Sequence, residues 1–271
     1  MASYFSNKSV LITGAASGIG KAVATRVAKQ GGKLVLWDIN QENLEATIKE
    51  LAPIAHHPPK GYKCDLRKRS QIYSVAKRVQ KQIGDIDILI NNAGIVSGKS
   101  LLDISDDAIS ATFDVNTLAL FWTTRAFLPA MIQRNTGHIV TMASSAGFIG
   151  AARLTDYCSS KWAAVGFDES LRMELRHTAP GINTTVVCPF LIDTGMFQGA
   201  QTRFPFLLPI LKESNVADQI IDSIAKKRQK LIVPPFVNLV PIFRILPTAV
   251  FDKVADFLGI NAAMDKFTGR H

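Results

Sequence analysis

Tyr157 and Lys161 are the residues of this sequence whose types and spacing most directly suggest acid–base chemistry. Residues four apart lie on one face of a helix, so this spacing makes a phenol and an ammonium group neighbours. A free tyrosine titrates near pH ~10, and an adjacent cation lowers that pKa toward the range in which a phenol exchanges a proton with an alcohol. The same spacing also arises by chance on helix surfaces, so the rest of the chain must support this interpretation.

A glycine-rich turn near the amino end predicts a phosphate site. Residues 13–20 read Thr-Gly-Ala-Ala-Ser-Gly-Ile-Gly and follow a short apolar run over 10–13. Glycine allows close backbone approach, and the amino end of a helix offers unpaired N–H groups to a phosphate. The spacing G-x3-G-x-G differs from the G-x-G-x-x-G fingerprint, but its position between a strand and a helix favours nucleotide binding. The expected contacts come from Gly14, Ser17, Gly18, Ile19 and Gly20.

Asp38 follows the second apolar run and bears on which nucleotide is bound. A carboxylate at the end of the second strand accepts hydrogen bonds from a ribose diol and repels a 2′-phosphate. Ser17 and Ile39 offer no nearby guanidinium to such a phosphate. NAD is therefore favoured over NADP. In an alternative interpretation Asp38 is the N-cap of the helix that starts near Gln41.

The elements that must position these residues alternate along the chain, which predicts an α/β fold with a doubly wound parallel sheet of about seven strands. We expect one domain over 1–271, in which 197–271 forms a substrate lid and an apolar extension. Strands are predicted over 10–13, 34–37, 62–64, 86–90, 138–143, 184–187 and 231–233. Helices are predicted over 19–30, 41–51, 70–83, most of 106–131, 155–175 and 251–258.

Together these residues give the chain a specific resemblance to the single-domain short-chain dehydrogenase/reductase family, which has a Rossmann-like sheet. The resemblance covers about 8–196. It also rests on Asp65-Leu66, Asn91-Asn92-Ala93-Gly94, Asn116, Ser144 and the turn over 189–194. It implies reversible hydride transfer between an alcohol carbon and a nicotinamide, with no metal ion.

The resemblance also implies the catalytic residues. Tyr157 would be the general acid/base, and Lys161 would lower its pKa and bind the nicotinamide ribose. Ser144 would stabilise charge on the substrate oxygen, and Asn116 would hold a proton-relay water at a helix distortion. Ser144 precedes Tyr157 by 13 residues, the spacing usual in the family, whereas Ser145 is the reserve candidate.

Further cofactor contacts follow from the same resemblance. Asp65 and Leu66 would flank the adenine, and the backbone of Asn92, Ala93 and Gly94 would approach the adenosine ribose. The turn that starts at Pro189 would place Ile192 and Thr194 at the nicotinamide carboxamide. The family often has Pro-Gly at the start of this turn, but this chain has Pro189-Phe190, so Phe190 would line or crowd that wall.

Two apolar stretches, over 203–211 and 231–251, bear on the substrate. They could be core or an oligomer interface, line a pocket for a lipophilic alcohol, or contact a membrane with Lys226, Lys227, Arg228 and Lys230 at the headgroups. The prolines in 231–251 argue against one spanning helix. The C-terminal part looks similar to membrane-associated retinol and hydroxysteroid dehydrogenases. We therefore expect a lipophilic secondary or allylic alcohol, a homo-oligomer and possible peripheral membrane contact.

The charge and cysteine content limit the other functions. The net charge is +9, with eight cations in 60–81 and four in 226–230, which suits an anionic membrane, a phosphorylated ligand or a solvated helix face. Aromatic residues are not interleaved with these cations, so no nucleic-acid partner is expected. Three cysteines without metal spacing, and no apparent signal peptide, predict a cytoplasmic protein. The alternatives are an NADPH-dependent ketone or aldehyde reductase and a nucleotide-sensing protein without turnover.

Overall fold

The computed structural model describes residues 3–269, in which strands and helices alternate along the chain. The first half contains β1 (Ser9–Thr13), α1 (Gly18–Lys29), β2 (Lys33–Asp38), α2 (Gln41–Leu51), β3 (Lys60–Lys63), α3 (Arg69–Gln82), β4 (Ile88–Asn91), α4 (Asp106–Phe113) and α5 (Ala119–Arg134). The second half contains β5 (Gly137–Met142), α6 (Thr155–Thr178), β6 (Ile182–Pro189), β7 (Ile192–Asp193), β8 (Leu211–Lys212), α7 (Glu213–Ala225), β9 (Lys230–Val233), α8 (Val240–Phe243) and α9 (Thr248–Phe257).

The main sheet of the described residues has seven strands in the order β3-β2-β1-β4-β5-β6-β9, and every pair is parallel. The strand order reverses between β1 and β4. In such sheets ligands bind outside the carboxyl ends of the strands at this reversal. The predicted α/β fold with about seven strands is confirmed, and the glycine-rich turn after β1 lies at the reversal.

Alternate residues of the central strands face two separate apolar cores. Val10 and Ile12 of β1 pack with α1 and α7, whereas Leu11 packs with α3 and α5 on the other face. Strands buried on both faces need nearly continuous apolar sequence, which is what the chain supplies in β1, β2 and β4. The helices cover both faces of the sheet, so a ligand can reach the central strands only at their ends.

Most differences from the sequence-based predictions lie at the ends of elements. The fourth strand begins at Ile88 instead of 86, although Ile86 is buried just ahead of it. The helix predicted over most of 106–131 is divided by a π-helical turn, Asp114–Leu118, and then continues to Arg134 through Pro129. Packing of the flanking segments decides such ends, and local sequence does so only weakly.

The C-terminal region contains short elements that are joined by turns. A 3₁₀ turn, Pro235–Leu239, leads from β9 into α8, and the prolines divide the apolar stretch as predicted. The two-residue strands β7 and β8 form a separate parallel pair, which the sequence did not predict. Within residues 3–269, no helix combines the length and apolarity that crossing a bilayer requires.

Candidate active site

A cavity of about 420 Å³ opens at the carboxyl ends of the central strands. Sixteen predicted site residues line it, and they come from the turns that follow β1, β2, β3, β4, β5 and β6 and from α6. They are Gly14, Ser17, Gly18, Ile19, Asp38, Asp65, Leu66, Asn92, Ala93, Gly94, Ser144, Tyr157, Lys161, Pro189, Ile192 and Thr194. One cavity thus joins residues that the chain spreads over about 180 positions.

The glycine-rich turn is held against the sheet by backbone contacts that leave no room for side chains. Gly14 has φ +63°, and a Cβ there would lie 2.9 Å from the Cα of Ala93. A Cβ on Gly20 would lie 2.1 Å from the carbonyl oxygen of Gly14. Asn92 fastens the turn by donating to the carbonyls of Thr13 and Gly14 at 2.9 and 3.0 Å. Gly20 therefore shapes the turn from inside α1 and does not line the cavity.

The turn presents the amino end of α1 to the cavity. Gly18 and Ile19 open the helix and line the cavity, and the first turn of α1 contains no acidic residue. Unpaired N–H groups and the positive end of the helix dipole favour a phosphate here. The residues present thus fit the diphosphate of a dinucleotide.

Asp38 braces the same turn from the end of β2. Its carboxylate accepts from the backbone N–H of Ala16 and of Asn40, both at 2.9 Å. The N-cap of α2 is Asn40, whose side chain accepts from the N–H of Asn43, so the alternative assignment of Asp38 as that cap is wrong. Asp38 still faces the cavity, where its carboxylate is available to a ribose diol.

Asp65 and Leu66 line the far end of the cavity together with Arg67, which the sequence analysis did not include. The Arg67 guanidinium donates to both carboxylate oxygens of Asp65, at 2.9 and 2.8 Å. This pairing, the largest cause, lowers the pKa of Asp65. Arg67 follows Asp65-Leu66 directly, so its position next to that motif could have predicted that it lines the cavity.

Tyr157, Lys161 and Ser144 meet at the opposite end of the cavity. Tyr157 and Lys161 lie one turn apart on α6, with Lys161 Nζ 5.6 Å from the centroid of the tyrosine ring. Lys161 Nζ donates to the carbonyl of Met142 at 2.8 Å, at the end of β5. Ser144 lines the cavity and lowers the pKa of the Tyr157 phenol, whereas Ser145 does not line the cavity. The Ser144 hydroxyl donates to the carbonyl of Pro189 at 3.3 Å. The structure thus brings Ser144, not the reserve candidate, to the phenol.

The pKa values in this cluster are governed by burial. Burial raises the pKa of Tyr157 well above its usual range, and the Ser144 hydrogen bond offsets only part of the rise. Burial lowers the pKa of Lys161 to about 8. Burial dominates both pKa values because both side chains leave water and charge becomes costly for each, and Lys161 is not among the causes that act on the phenol. The phenol is therefore held protonated and can donate. That Lys161 lowers the pKa of Tyr157 stays a prediction.

Asn116 lies directly behind this cluster, in the π-helical turn, and does not line the cavity. Its amide accepts from the N–H of Ile95 at 2.8 Å, and it donates to the carbonyl of Ile95 at 2.9 Å and to Ser160 Oγ at 3.0 Å. π-helical turns in α-helices often mark functional sites. Asn116 thus ties the loop after β4 to the helix that carries Tyr157 and Lys161.

The wall on the other side of Tyr157 is apolar and comes from the segment after β6. Phe190, Met196 and Phe197 line the cavity there. The ring of Phe197 packs edge-on against that of Tyr157, with centroids 5.6 Å apart. Phe190 was a predicted neighbour of the nicotinamide, whereas Phe197 was not predicted, although two large apolar residues, Met196 and Phe197, directly follow the turn that starts at Pro189. Among residues 3–269, no three His, Cys, Asp or Glu side chains gather as metal ligands would.

The fold and this site together define a nicotinamide-dinucleotide-binding oxidoreductase. A profile described as short chain dehydrogenase matches residues 8–203. The chain is 46% identical over 263 residues to epidermal retinol dehydrogenase 2 of Mus musculus, covering 96% of this chain and 85% of that protein. It is 40% identical over 286 residues to retinol dehydrogenase 10 of Xenopus tropicalis, with 95% and 84% covered.

Solved structures agree with these comparisons. A short chain dehydrogenase/reductase from Burkholderia phymatum in complex with NAD superposes with a TM-score of 0.80 at 28% identity, covering 89% of this chain and 94% of that one. An alcohol dehydrogenase from Thermococcus sibiricus complexed with 5-hydroxy-NADP gives a TM-score of 0.74 at 26% identity, with 83% and 95% covered. The chain belongs to the short-chain dehydrogenase/reductase family, and it is an oxidoreductase acting on CH–OH donors with NAD or NADP.

Proposed function

We propose that the protein is an NAD-dependent dehydrogenase of lipophilic secondary or allylic alcohols. The observation that carries this proposal is the single cavity that runs from Asp38 to Tyr157 and ends against the apolar wall of Phe190 and Phe197. Relatives at 40–46% identity are retinol dehydrogenases, which supports an apolar alcohol as substrate. The bound nicotinamide would supply the hydride acceptor or donor.

Each residue at the reacting end has a proposed role. Tyr157 exchanges a proton with the substrate hydroxyl, and Ser144 orients that oxygen through the contact it already makes with the phenol. Lys161 holds the ribose next to the nicotinamide, since its ammonium is fixed by the Met142 carbonyl. Asn116 positions the loop after β4 and α6 relative to each other. Burial keeps the phenol protonated, which favours proton donation to a carbonyl; oxidation of the alcohol requires that the phenol first lose this proton.

The preference for NAD rests on the cofactor end of the cavity. Asp38 faces the position of a ribose there and would repel a 2′-phosphate. Arg67 is the cation at this end, and its guanidinium is already paired with Asp65. An NADPH-dependent carbonyl reductase is the second candidate, favoured by this lining arginine.

Replacing Tyr157 with Phe tests the proposed chemistry. The ring and its packing against Phe197 remain, but the exchangeable proton is lost, so turnover should fall about 1,000-fold or more. NADH binding, measured by nicotinamide fluorescence, should stay within about twofold of the parent protein. The matched control is Tyr73→Phe, a change to a tyrosine that does not line the cavity. Turnover by Tyr157→Phe at the parental rate would contradict the proposal.

We also propose peripheral membrane contact through a C-terminal apolar surface, defined as Ile242, Ile245, Leu246 and Val250. All four side chains are exposed, and Ile245 reaches 84% exposure. Arg244 fixes this segment from behind, because its guanidinium donates to the carbonyl of Phe148 and lies 4.7 Å from the centroid of the Trp162 ring. A bilayer is the occupant that the proposed lipophilic substrate favours, since such a substrate partitions into a bilayer.

The four cations predicted to contact lipid headgroups do not all lie next to the C-terminal apolar surface. Lys230 lies over the Phe148 ring, 5.5 Å from its centroid, and so accompanies the C-terminal apolar surface. Lys226, Lys227 and Arg228 form the turn that leads into β9, where Lys226 and Arg228 pair with Asp222 and Lys227 lines a separate cavity of about 280 Å³. Only Lys230 is therefore assigned to this membrane contact.

Flotation with anionic vesicles tests this contact. Ile242→Asp together with Ile245→Asp should reduce the bound fraction at least fivefold, because charge is expelled from the apolar region of the interface. Ile54→Asp, at an exposed apolar residue beyond α2, is the control and should bind as the parent does. Equal flotation of all three proteins, or none by the parent, would remove the membrane contact.

A homo-oligomer is proposed from a second exposed apolar set, on the π-helical turn, α5 and α6. Leu118, Phe121, Ile132 and Trp162 are each 41–42% exposed. Patches of this kind commonly mark protein–protein contacts. Sedimentation analysis of the full chain would test this, and a monomer at micromolar concentration would contradict it.

A further inference from the structure

A second cavity, of about 280 Å³, lies at the amino ends of the sheet strands, opposite the proposed active site. It is bounded by the last turns of α6, the start of β6 and the turn between α7 and β9. Because the strands are parallel, all their amino ends lie on this side of the sheet, and the cofactor cavity lies on the other side, at their carboxyl ends. The polar residues that line the second cavity are Arg172, Arg176, Asn183, Thr184, Lys227 and Gln229.

Three cations converge on this cavity from two elements. Arg172 and Arg176 are four residues apart and so share one face of α6. Lys227 arrives from the other side in a turn where its own φ is +53°, a conformation that residues other than glycine rarely adopt. The chain thus holds a lysine in an uncommon backbone conformation beside two arginines.

The acidic groups nearby pair with only one of these three cations, Arg172. Glu169 pairs with Arg172 at 3.7 Å, and Asp222 pairs with Lys226 at 2.7 Å and Arg228 at 3.4 Å. Neither Arg176 nor Lys227 has a carboxylate within 4.0 Å in the part of the chain that the structure describes. The remaining contact of Arg176 is with the sulfur of Met173, at 3.9 Å.

Two buried titratable groups lie near the cavity, and the pKa of one of them, His138, responds to Lys227. The pKa of His138 is lowered to about 4 by burial first, and then by Lys8 and Lys227. Asp168 lies behind Thr184, which donates to its carboxylate at 3.5 Å. Burial raises the pKa of Asp168 to about 7, so it contributes only part of a negative charge at neutral pH. The local charge therefore remains positive, which favours an anion.

We propose that this cavity binds a phosphomonoester or pyrophosphate group through Arg172, Arg176 and Lys227. Guanidinium groups match the planar faces of phosphate oxygens, and a lysine adds a compact point charge. Asn183, Thr184 and Gln229 supply neutral hydrogen-bonding groups around the cations. Such a group could belong to a soluble phosphate compound or to a lipid headgroup. This inference does not depend on the proposed dehydrogenase activity.

Calorimetric titration of the full chain with inorganic pyrophosphate is the first test. Saturating NADH is present, so that the probe does not report from the cofactor cavity, and NADH binding is read separately by fluorescence. The double variant Arg176→Gln with Lys227→Gln should weaken pyrophosphate binding at least tenfold. Lys226→Gln, in the same turn but outside the cavity, should stay within twofold. All of these side chains are exposed, and circular dichroism would verify folding.

Vesicles distinguish the two sources of the phosphate. Vesicles with phosphatidic acid are compared with phosphatidylglycerol vesicles of equal charge. Saturable pyrophosphate binding that the double variant loses supports a soluble ligand, and phosphatidic-acid binding that it loses supports a lipid headgroup. If neither probe binds, or if the double variant and Lys226→Gln bind equally well, the site is refuted.

Discussion

The two halves of the large cavity are built in different ways. The cofactor half comes from turns directly after parallel strands, where backbone groups and buried polar side chains hold one another, as Asn92 holds the glycine turn. The substrate half comes from the irregular segment after β6, where contacts such as Phe197 on Tyr157 are mostly apolar. Directional hydrogen bonds fix geometry closely, whereas apolar packing accepts residues of similar volume.

This difference teaches which changes the site tolerates. In the cofactor half, a Cβ added to a turn glycine collides with backbone atoms that cannot move without disturbing the sheet. In the substrate half, an altered side chain mainly changes the shape and apolar area offered to the alcohol. Substitutions should therefore affect cofactor binding severely in the first half and substrate KM moderately in the second.

Among changes that compare the two halves of the cavity, the largest effect on ligand binding is expected for Gly20→Ala. The new Cβ would lie 2.1 Å from the Gly14 carbonyl oxygen, so the turn must shift away from the sheet. NADH affinity, measured by fluorescence titration, should fall at least 100-fold. Gly150→Ala is the control, because a Cβ there has no neighbour within 4 Å, and it should bind normally. Parental affinity in Gly20→Ala would show that the turn is not rigid.

A smaller effect is expected for Asp38→Asn. The amide keeps one acceptor for the two N–H groups that the carboxylate now serves, and it removes the charge that opposes a 2′-phosphate. NADH affinity should fall about tenfold, or about 1.4 kcal/mol, and the preference over NADPH should narrow. Glu42→Gln, an exposed change in α2, serves as the control. An unchanged ratio of NADH affinity to NADPH affinity would show that Asp38 does not determine which cofactor is preferred.

The smallest effect is expected for Phe190→Ala on the substrate side. Removing part of the apolar wall should raise KM for a lipophilic alcohol about three- to tenfold, while NADH affinity stays within about twofold. Phe206→Ala is the matched control because that ring is 94% exposed, and it should leave KM for a soluble alcohol unchanged. Loss of NADH binding in Phe190→Ala would mean that the two halves are not separable.

Much of this organisation could be predicted because its signals are local. Apolar strand runs, the glycine turn and the Tyr157/Lys161 spacing follow from short stretches of sequence with one physical reason each. Most of the residues predicted to contact the cofactor line one cavity of the structure. The assignment of roles to these residues stays a prediction, to be tested by the variants above.

Other features depend on neighbours that are distant in sequence. Whether Asp38 or Asn40 caps α2 was decided by the backbone of Ala16, which draws the Asp38 carboxylate toward the glycine turn. The gathering of Lys227 with Arg172 and Arg176 around one cavity likewise follows from how the elements pack.

The sequence by itself determined the class of fold, the nucleotide turn and the candidates for proton exchange, because periodicity and fixed spacing act over a few residues. The tertiary structure alone decided how charge behaves around Tyr157. Burial of both side chains raises the phenol pKa and lowers that of Lys161, which a spacing of four residues cannot reveal. It also decided that Phe197 completes the apolar wall and that three cations share a cavity at the amino ends of the strands.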